Sequence, residues 1–377
     1  MEAVDVADFD LHHHQAVEAL RAKGPIAWSA ALEAWVVTSR ELASAVMRDA
    51  TTFTVDDPRF STAQVVGPSM LSLDGAEHAR HRNPFAEPLR PAEATARHGA
   101  RIDAMARAIV GAVRPAGAAE LRREIAGPLA VAVASSVLGV DHVPPAALLA
   151  WYDLIVSAVG AVSDGGVVPA VAADAFAQLV HAIEQAMRHD DTLVAVAGRS
   201  LSAAEVVSNS AVFLFGGIET SEGMTANVLH HLLADPVQRQ MVAADRRLVD
   251  AAVEESLRLE PAAARVDRYA TADVRVGGVQ VRRGDFVVVS LAGANRDPDV
   301  YPDPDRFDVR RSNVRSQVAF AHGPHACIGA QLARLQTRAA LSAVLDMLPG
   351  IELVEPVEVR GAIFRKPLAL RAAWTLS

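Results

Sequence analysis

The residues with the clearest chemical potential surround Cys327, the single cysteine of the chain. Its thiol follows a Gly/Pro turn at the predicted start of a helix, where backbone amides and the helix dipole favour a thiolate. Gly323 and Gly329 let the backbone approach a bulky group beside the sulfur, and His325 can donate to an anion alongside it. Phe320 supplies the apolar shield that a sulfur ligand of a redox metal needs. Most lone cysteines are inert core residues, but these neighbours favour a metal ligand.

A second set of residues interrupts an apolar segment in the middle of the chain. Residues 202–233 are predicted to form one helix, because Ser202 and Glu205 make a capping box and the middle of the segment is apolar nearly all round. The run 216–221, Gly-Gly-Ile-Glu-Thr-Ser, breaks this pattern. Two glycines and a carboxylate are costly in a buried helix, so a kink or pocket is expected there. A threonine that bonds back to its own helix is the ordinary alternative for Thr220.

Two pairs of charged residues share helical faces elsewhere in the sequence. His78 and Arg82 are four apart and follow Asp74 and Gly75, so both face one side of a helix. A solvated basic face is the ordinary interpretation, and a site for an anionic group is the other. The run 255–258, Glu-Ser-Leu-Arg, places an acid and a base three apart, which alone is a commonplace ion pair.

Together these motifs resemble those of the cytochrome P450 family. The run 320–329, FAHGPHACIG, followed by Leu-Ala-Arg at 332–334, matches the haem-binding signature of that family. By this resemblance the cofactor is haem b and Cys327 is its proximal iron ligand, whose electron donation favours O–O cleavage. The other cofactor-binding residues that the resemblance implies are His78, Arg82, Arg268, Phe320, Gly323, His325 and Gly329.

The same resemblance assigns roles in catalysis and support. Glu219 and Thr220 take the place of the family's acid and alcohol pair: Thr220 hydrogen-bonds dioxygen as it is reduced, and Glu219 belongs to the route by which solvent protons arrive. Glu255 and Arg258 take the place of a structural Glu-x-x-Arg pair. The arginine that completes this group is expected to be Arg306, from the following irregular region.

The expected fold is mainly α with a minor β region. Hydrophobic residues make up 51% of the chain and aromatics only 5%, which favours packed helices rich in Ala, Val and Leu. Hairpins are predicted within 25–38 and 274–281, an irregular stretch at 51–75, and a helix at 328–348. The resemblance implies the cytochrome P450 fold, a single triangular domain over 1–377 with the long central helix over the haem.

The sequence also restricts partners and location. A net charge of -9 argues against nucleic acids, because neutralising phosphates requires a basic surface. One cysteine gives no internal disulfide, and neither a signal peptide nor a membrane-spanning run is apparent, so a cytoplasmic protein is expected. The single cysteine cannot hold an iron–sulfur cluster and no dinucleotide fingerprint follows a strand, so electrons come from another protein. By family resemblance that protein is a ferredoxin served by an NAD(P)H-dependent reductase.

The predicted activity is that of a haem-thiolate monooxygenase acting on a small, neutral organic molecule. Substrate is expected to contact residues 51–75, 213–220 and 262–266. Hydroxylation, epoxidation, demethylation and phenol coupling remain open, and a haem-thiolate sensor without turnover is the alternative; Glu219 and Thr220 favour the enzyme. The redox partner is expected to dock on the thiolate side of the haem, near arginines 80, 90, 311 and 315.

Overall fold

The computed structural model describes residues 5–163 and 166–376. The first four residues, on which the expectation of no signal peptide partly depends, lie outside this part of the chain. Helices dominate the described residues and short strands form four small sheets, which confirms the predicted mainly α fold with a minor β region.

The elements follow one another in this order along the chain. The α-helices are α1 Val6–Leu11, α2 His13–Arg21, α3 Arg40–Arg48, α4 Ser61–Val66, α5 Gly75–Ala86, α6 Pro91–Val113, α7 Gly127–Leu138, α8 Pro145–Ser163, α9 Ala170–Ala186, α10 Leu193–Ala197, α11 Ala203–Ala234, α12 Pro236–Ala244, α13 Val249–Leu259, α14 Leu291–Ala294 and α15 Ala330–Met347. The strands are β1 Ile26–Ser29, β2 Ala34–Val37, β3 Phe53–Thr54, β4 Ala118–Glu120, β5 Arg265–Ala270, β6 Val274–Val276, β7 Val279–Val281, β8 Phe286–Ser290, β9 Glu352–Leu353, β10 Val359–Arg360, β11 Lys366–Pro367 and β12 Arg371–Ala373.

The predicted hairpins lie where the sequence placed them. Strands β1 and β2 pair antiparallel, with Trp28 opposite Trp35, and β2 then pairs in parallel with β8 in a sheet of order β1-β2-β8-β5-β3. Strands β6 and β7 pair around Gly277 and Gly278, whose φ angles of 54° and 84° lie in the left-handed region. Tight hairpin turns need two such residues in succession, which explains the Gly-Gly step.

Helix α11 is the central element that the capping box and apolar run predicted. It has 32 residues, so it is about 48 Å long at 1.5 Å per residue. Ser202 accepts from the amide of Glu205, and the Glu205 side chain accepts in return from the Ser202 amide. Helices α7, α13 and α15 pack against α11, and their apolar side chains belong to the largest cluster of buried residues. The helix therefore crosses the core and presents Gly216 and Gly217 to a cavity inside it.

The stretch 51–75 is more ordered than predicted. It contains strand β3 and the six-residue helix α4, which has no side-chain cap. The helix is stabilised from outside, because the Ser208 hydroxyl of α11 donates to the Val66 carbonyl at 2.6 Å. Farther along, the Met70 amide donates to Asn209 Oδ1 at 2.8 Å. These long-range contacts leave no local signal in the sequence.

One described helix has the length and composition that a membrane crossing requires. The window Pro145–Val162 of α8 has a mean hydropathy of 1.6, and 17% of it is buried. Leu148 and Ile155 of this helix belong to the main buried cluster, and the helix packs against α9 and α4.

Candidate functional site

The loop 320–329, called here the Cys327 loop, leads from irregular backbone into α15. The Cys327 amide donates to the Phe320 carbonyl at 2.8 Å, which folds the loop back on itself, and Gly329 is the N-cap residue of α15. Gly323 has a φ of 78°, and a side chain there would clash with the Met47 carbonyl of α3. Gly323 therefore serves the close approach of the loop to α3. At Gly329 an added Cβ would have the Cys327 sulfur as its nearest neighbour, at 3.8 Å, so this glycine leaves space beside the thiol.

A cavity of about 270 Å³ separates the Cys327 loop from α11. Most of its lining is apolar, and its α11 wall is formed by Val212, Phe213, Gly216, Gly217, Thr220, Ser221 and Met224. Residues from the three stretches expected to contact substrate all reach it: they are Met70, Leu71, Phe213, Gly216, Gly217, Thr220, Ala262, Ala263 and Val266. The sulfur of Cys327 thus faces a largely apolar chamber whose opposite wall includes two glycines and the hydroxyl of Thr220.

The electrostatics of Cys327 differ from the expectation at one point. Desolvation by the surrounding protein raises the pKa of the thiol above its usual value, although the Gly329 amide, Arg82 and Arg334 act in the opposite direction. The exposed part of the Cys327 side chain faces the cavity. A bound metal cation makes a thiolate, because a coordinating thiol loses its proton outright. The site is suited to a ligand sulfur rather than to a free reactive thiolate.

Two buried cationic or polar side chains near the loop have unused donors. His78 and Arg268 are 4% and 3% exposed. Nε2 of His78 and both Nε and Nη2 of Arg268 have no hydrogen-bond partner among the described residues. Leaving such donors unsatisfied is costly, so they predict an anionic ligand beside them. The two propionate groups of a haem have the charge and the acceptor atoms that these donors require.

Asp74 is part of this cluster, and sequence reasoning did not assign it a role. The rings of His78 and His325 are 4.2 Å apart, and His325 Nε2 lies 2.7 Å from Asp74 Oδ1. Burial raises the pKa of Asp74, but hydrogen bonds from His325, Thr54 and the Val55 amide lower it to about 2. Burial, with help from His325 and Arg82, lowers the pKa of His78 to about 4. Asp74 is thus ionised and fixes the ring of His325, whereas His78 is a neutral donor.

Arg82 and Phe320 line the cavity. The Arg82 guanidinium is partly buried and donates to the Ala326 carbonyl within the Cys327 loop. The guanidinium carbon of Arg334 lies 4.5 Å from the centre of the Phe320 ring, and Glu254 pairs with Arg334 from the other side. The Phe320 ring is therefore held in place where it lines the cavity near the sulfur.

The structure separates the two residues of the predicted acid and alcohol pair. Thr220 lines the cavity, and its hydroxyl donates to the Gly216 carbonyl of its own helix, which is the ordinary interpretation noted above. Its oxygen keeps lone pairs free to accept a hydrogen bond. Glu219 does not line the cavity. Its carboxylate lies 2.8 Å from Lys366 Nζ and 3.3 Å from the Tyr152 hydroxyl, neither of which the sequence identified.

The arginine that completes the Glu255 and Arg258 pair is Arg311, so the prediction of Arg306 was wrong. Nε of Arg311 lies 3.0 Å from Glu255 Oε1, and Arg258 binds both oxygens of Glu255 at 2.8 Å. Arg306 is exposed at its side chain and contributes its backbone carbonyl, which accepts from Arg258 and Arg311. The irregular backbone directs the side chain of Arg311, rather than that of Arg306, toward Glu255. The short Glu-x-x-Arg motif carries no information about this direction.

Arg311 and Arg80, two of the four arginines predicted to dock the redox partner, form ion pairs within the protein instead. Arg311 has only 8% of its side chain exposed and belongs to the buried group just described. Arg80 pairs with Glu77 and Glu205, which leaves little free charge. Arg48 lies directly against the Cys327 loop, since its Cα would be 2.8 Å from a Cβ at Gly323, and its side chain is exposed. Arg48 was missed because its position depends on how α3 packs.

The chain is similar in sequence and in fold to proteins of one family. A sequence model of the family described as cytochrome P450 matches residues 178–348. The cytochrome P450 monooxygenase PikC of Streptomyces venezuelae is 33% identical, over 93% of this chain and 88% of its own length. Mycinamicin IV hydroxylase/epoxidase of Micromonospora griseorubida is 31% identical, over 91% of this chain and 90% of its own. A solved structure with a similar fold is that of P450BioI in complex with an acyl carrier protein ligated to hexadec-9Z-enoic acid. Its TM-score is 0.88 at 26% sequence identity, and the alignment covers 96% of this chain and 98% of that chain.

Proposed function

Because the chain belongs to the cytochrome P450 family and is a haem b monooxygenase of that family, we propose that it hydroxylates or epoxidises a neutral, largely apolar small molecule. The observation that carries this proposal is the placement of the Cys327 sulfur opposite Gly216, Gly217 and Thr220 across an apolar cavity. Cys327 is the proposed iron ligand. When bound there, haem supplies the activation of dioxygen, and the chain's own residues hold the cofactor, the substrate and the protons.

The apolar lining supports the proposed substrate class. Arg265, within the segment 262–266, and Asp267, directly after it, do not line the cavity. Arg82 and His325 do, but they already bind the Ala326 carbonyl and Asp74. A ligand carboxylate would have to displace these bonds and a ligand ammonium would lose hydration without gaining a partner, which costs several kcal/mol. Mycinamicin IV hydroxylase/epoxidase, by its name, performs both reactions proposed here. Titration of the ferric protein with matched neutral and carboxylate ligands, followed by the spin-state change of the haem, tests this: tighter binding of the carboxylates would contradict the proposal.

We propose that His78, Arg268 and His325 hold the two haem propionates, with Asp74 fixing His325. The change Arg268→Met is expected to speed haem loss by roughly tenfold or more, because a hydrogen bond to a charged group is worth about 1.5–3 kcal/mol. Transfer of haem to excess apomyoglobin measures this rate. Arg275→Met, at an exposed arginine of β6, is the matched control and should leave the rate unchanged. Equal rates in the two variants would remove Arg268 from the site.

The monooxygenase requires an external redox partner, and we propose a ferredoxin reduced by an NAD(P)H-dependent reductase, in the cytoplasm. The exposed Arg48, against the Cys327 loop, supports docking of an acidic protein on this side. The change Arg48→Glu should slow reduction by a ferredoxin at low ionic strength, and the difference from wild type should shrink as salt is added. Stopped-flow reduction under carbon monoxide measures it. Arg188→Glu, at an exposed arginine two residues after the end of α9, is the control, and an equal effect of both reversals would argue against a docking site at Arg48.

A further inference from the structure

Glu219 belongs to a cluster of charged side chains on the side of α11 that faces away from the cavity. Lys366 contacts two carboxylates there: its Nζ is 2.8 Å from Glu219 Oε1 and also bonds to Glu222 Oε2. Arg122 binds the other oxygen of Glu222 at 3.1 Å. The side chains of Lys366, Glu219 and Glu222 are 19%, 22% and 13% exposed, so water screens these ion pairs only in part.

The packing of strand β11 against α11 brings Lys366 within reach of both Glu219 and Glu222. Glu219 and Glu222 are three residues apart on α11 and therefore share one face of the helix. Strand β11, which begins at Lys366, lies against that face where α11 has Gly223. A Cβ at Gly223 would be 3.1 Å from the Ala262 Cβ and 3.4 Å from the Arg365 carbonyl. The missing side chain thus permits the close approach of the strand.

Lysine is rare in this sequence, so a lysine at position 366 is unusual. Of the 36 basic Lys and Arg residues only Lys23 and Lys366 are lysines. An arginine fork tends to bind one carboxylate with two parallel hydrogen bonds, whereas a lysine ammonium is a compact charge with three donors that can contact separate partners. The ammonium can therefore lose one carboxylate and keep the other.

A direct proton relay through Lys366 is energetically poor. An ammonium group is in general a much weaker acid than a carboxylic acid, so it is better suited to hold a carboxylate than to pass it a proton. Lys366 instead fixes the position of the Glu219 carboxylate through their ion pair. In the structure Glu219 is held by Lys366 and Tyr152 on the outer side, while Thr220 faces the cavity.

We propose that Lys366 is a positioning residue for proton delivery. It holds the Glu219 carboxylate on the solvent side of α11 and releases it toward Thr220 during turnover, while Glu222, anchored by Arg122, keeps the lysine paired. This inference rests on the proposed role of Glu219 in delivering protons, and it adds the group that controls the position of that acid.

The ion pairing is tested first without turnover, by acylating the amines of the haem-loaded protein and quantifying each lysine by peptide mass spectrometry. Lys23 is exposed and serves as an internal reference. Lys366 should react several-fold more slowly, because its ammonium is paired with two carboxylates and its side chain is only 19% exposed. Glu222→Gln should raise the reactivity of Lys366 strongly, and Glu219→Gln only slightly, because Glu222 remains. Equal reactivity of the two lysines, or no effect of Glu222→Gln, would overturn the proposal.

The functional test is a double-mutant cycle on the coupling of NAD(P)H oxidation to product formation. Lys366→Met should lower this coupling roughly threefold to tenfold, a part of the roughly hundredfold or larger contribution of a positioned acid. In the Glu219→Gln background the same change should have no further effect. Lys366→Arg keeps the charge and should keep the unfolding midpoint, yet it should still lower the coupling.

The two proposals fail in distinguishable ways. If Glu219→Gln leaves coupling unchanged, the role of Glu219 in the proposed function is wrong and the role of Lys366 falls with it. If Glu219→Gln lowers coupling but Lys366→Met does not, only the role of Lys366 is wrong. If the two changes lower coupling additively, Lys366 acts independently of Glu219 and the inference is also contradicted.

Discussion

Replacing Arg311 by alanine should destabilise the protein by about 3–5 kcal/mol, because a hydrogen bond to a buried carboxylate is worth about 1.5–3 kcal/mol and three backbone carbonyls lose their donor as well. Glu255 and Arg258 are fully buried, and Arg311 covers the outer side of Glu255 with both oxygens within 3.1 Å. Arg311 also donates to the carbonyls of Pro302, Asp303 and Arg306, so its loss releases the irregular backbone that leads toward the Cys327 loop. Thermal unfolding of the haem-loaded protein measures the effect at one fixed scan rate, since large proteins often unfold irreversibly.

The matched control is Arg306→Ala, five residues earlier in the same segment. Its side chain is exposed and only its backbone carbonyl takes part, so the change should stay within about 0.5 kcal/mol of wild type. Equal destabilisation by the two changes, or a larger effect at Arg306, would contradict the assignment of Arg311 to the buried group.

Replacing Thr220 by alanine should lower the coupling of NAD(P)H consumption to product by roughly tenfold or more, because a positioned proton-transfer group typically contributes 10²–10⁴-fold. Thr220 offers the hydroxyl on the glycine-rich wall opposite Cys327. Its proton is donated to the Gly216 carbonyl, so the role left to its oxygen is to accept a hydrogen bond from a water molecule in the cavity. Product and hydrogen peroxide are measured against NAD(P)H consumed.

Thr220→Ser is the control for this prediction, because it keeps the oxygen and removes only a methyl group. It should retain most of the coupling, and the spin-state change on substrate binding should survive in both variants. If alanine and serine behave alike, the hydroxyl has no role beyond its bond to Gly216, and Thr220 is then an ordinary helical threonine.

The sequence predicted those features whose signals are local. Helix α11 follows from one capping box and a continuous apolar run, and the hairpin of β6 and β7 follows from two adjacent glycines between alternating apolar residues. The Cys327 loop carries its own turn, thiol and helix start within ten residues. Family resemblance then supplied the cofactor, which the comparisons support.

The missed contacts join residues that are far apart along the chain. Asp74 meets His325 across 251 positions, and Glu219 meets a lysine at the far end of the chain. Neither pairing has a spacing rule, since each depends on how strands and loops close around α11. The exchange of Arg306 for Arg311 has the same cause: in irregular backbone the direction of a side chain is set by turns, not by a period.

The most direct test of the account is the absorption spectrum of the purified protein after dithionite reduction and addition of carbon monoxide. Ligation of haem iron by the Cys327 thiolate predicts a strongly red-shifted Soret band, which Cys327→Ser should abolish while haem remains bound. Absence of haem from the wild-type protein, a spectrum typical of histidine or neutral thiol ligation, or a red-shifted band that survives Cys327→Ser would contradict the assignment of Cys327 as the iron ligand.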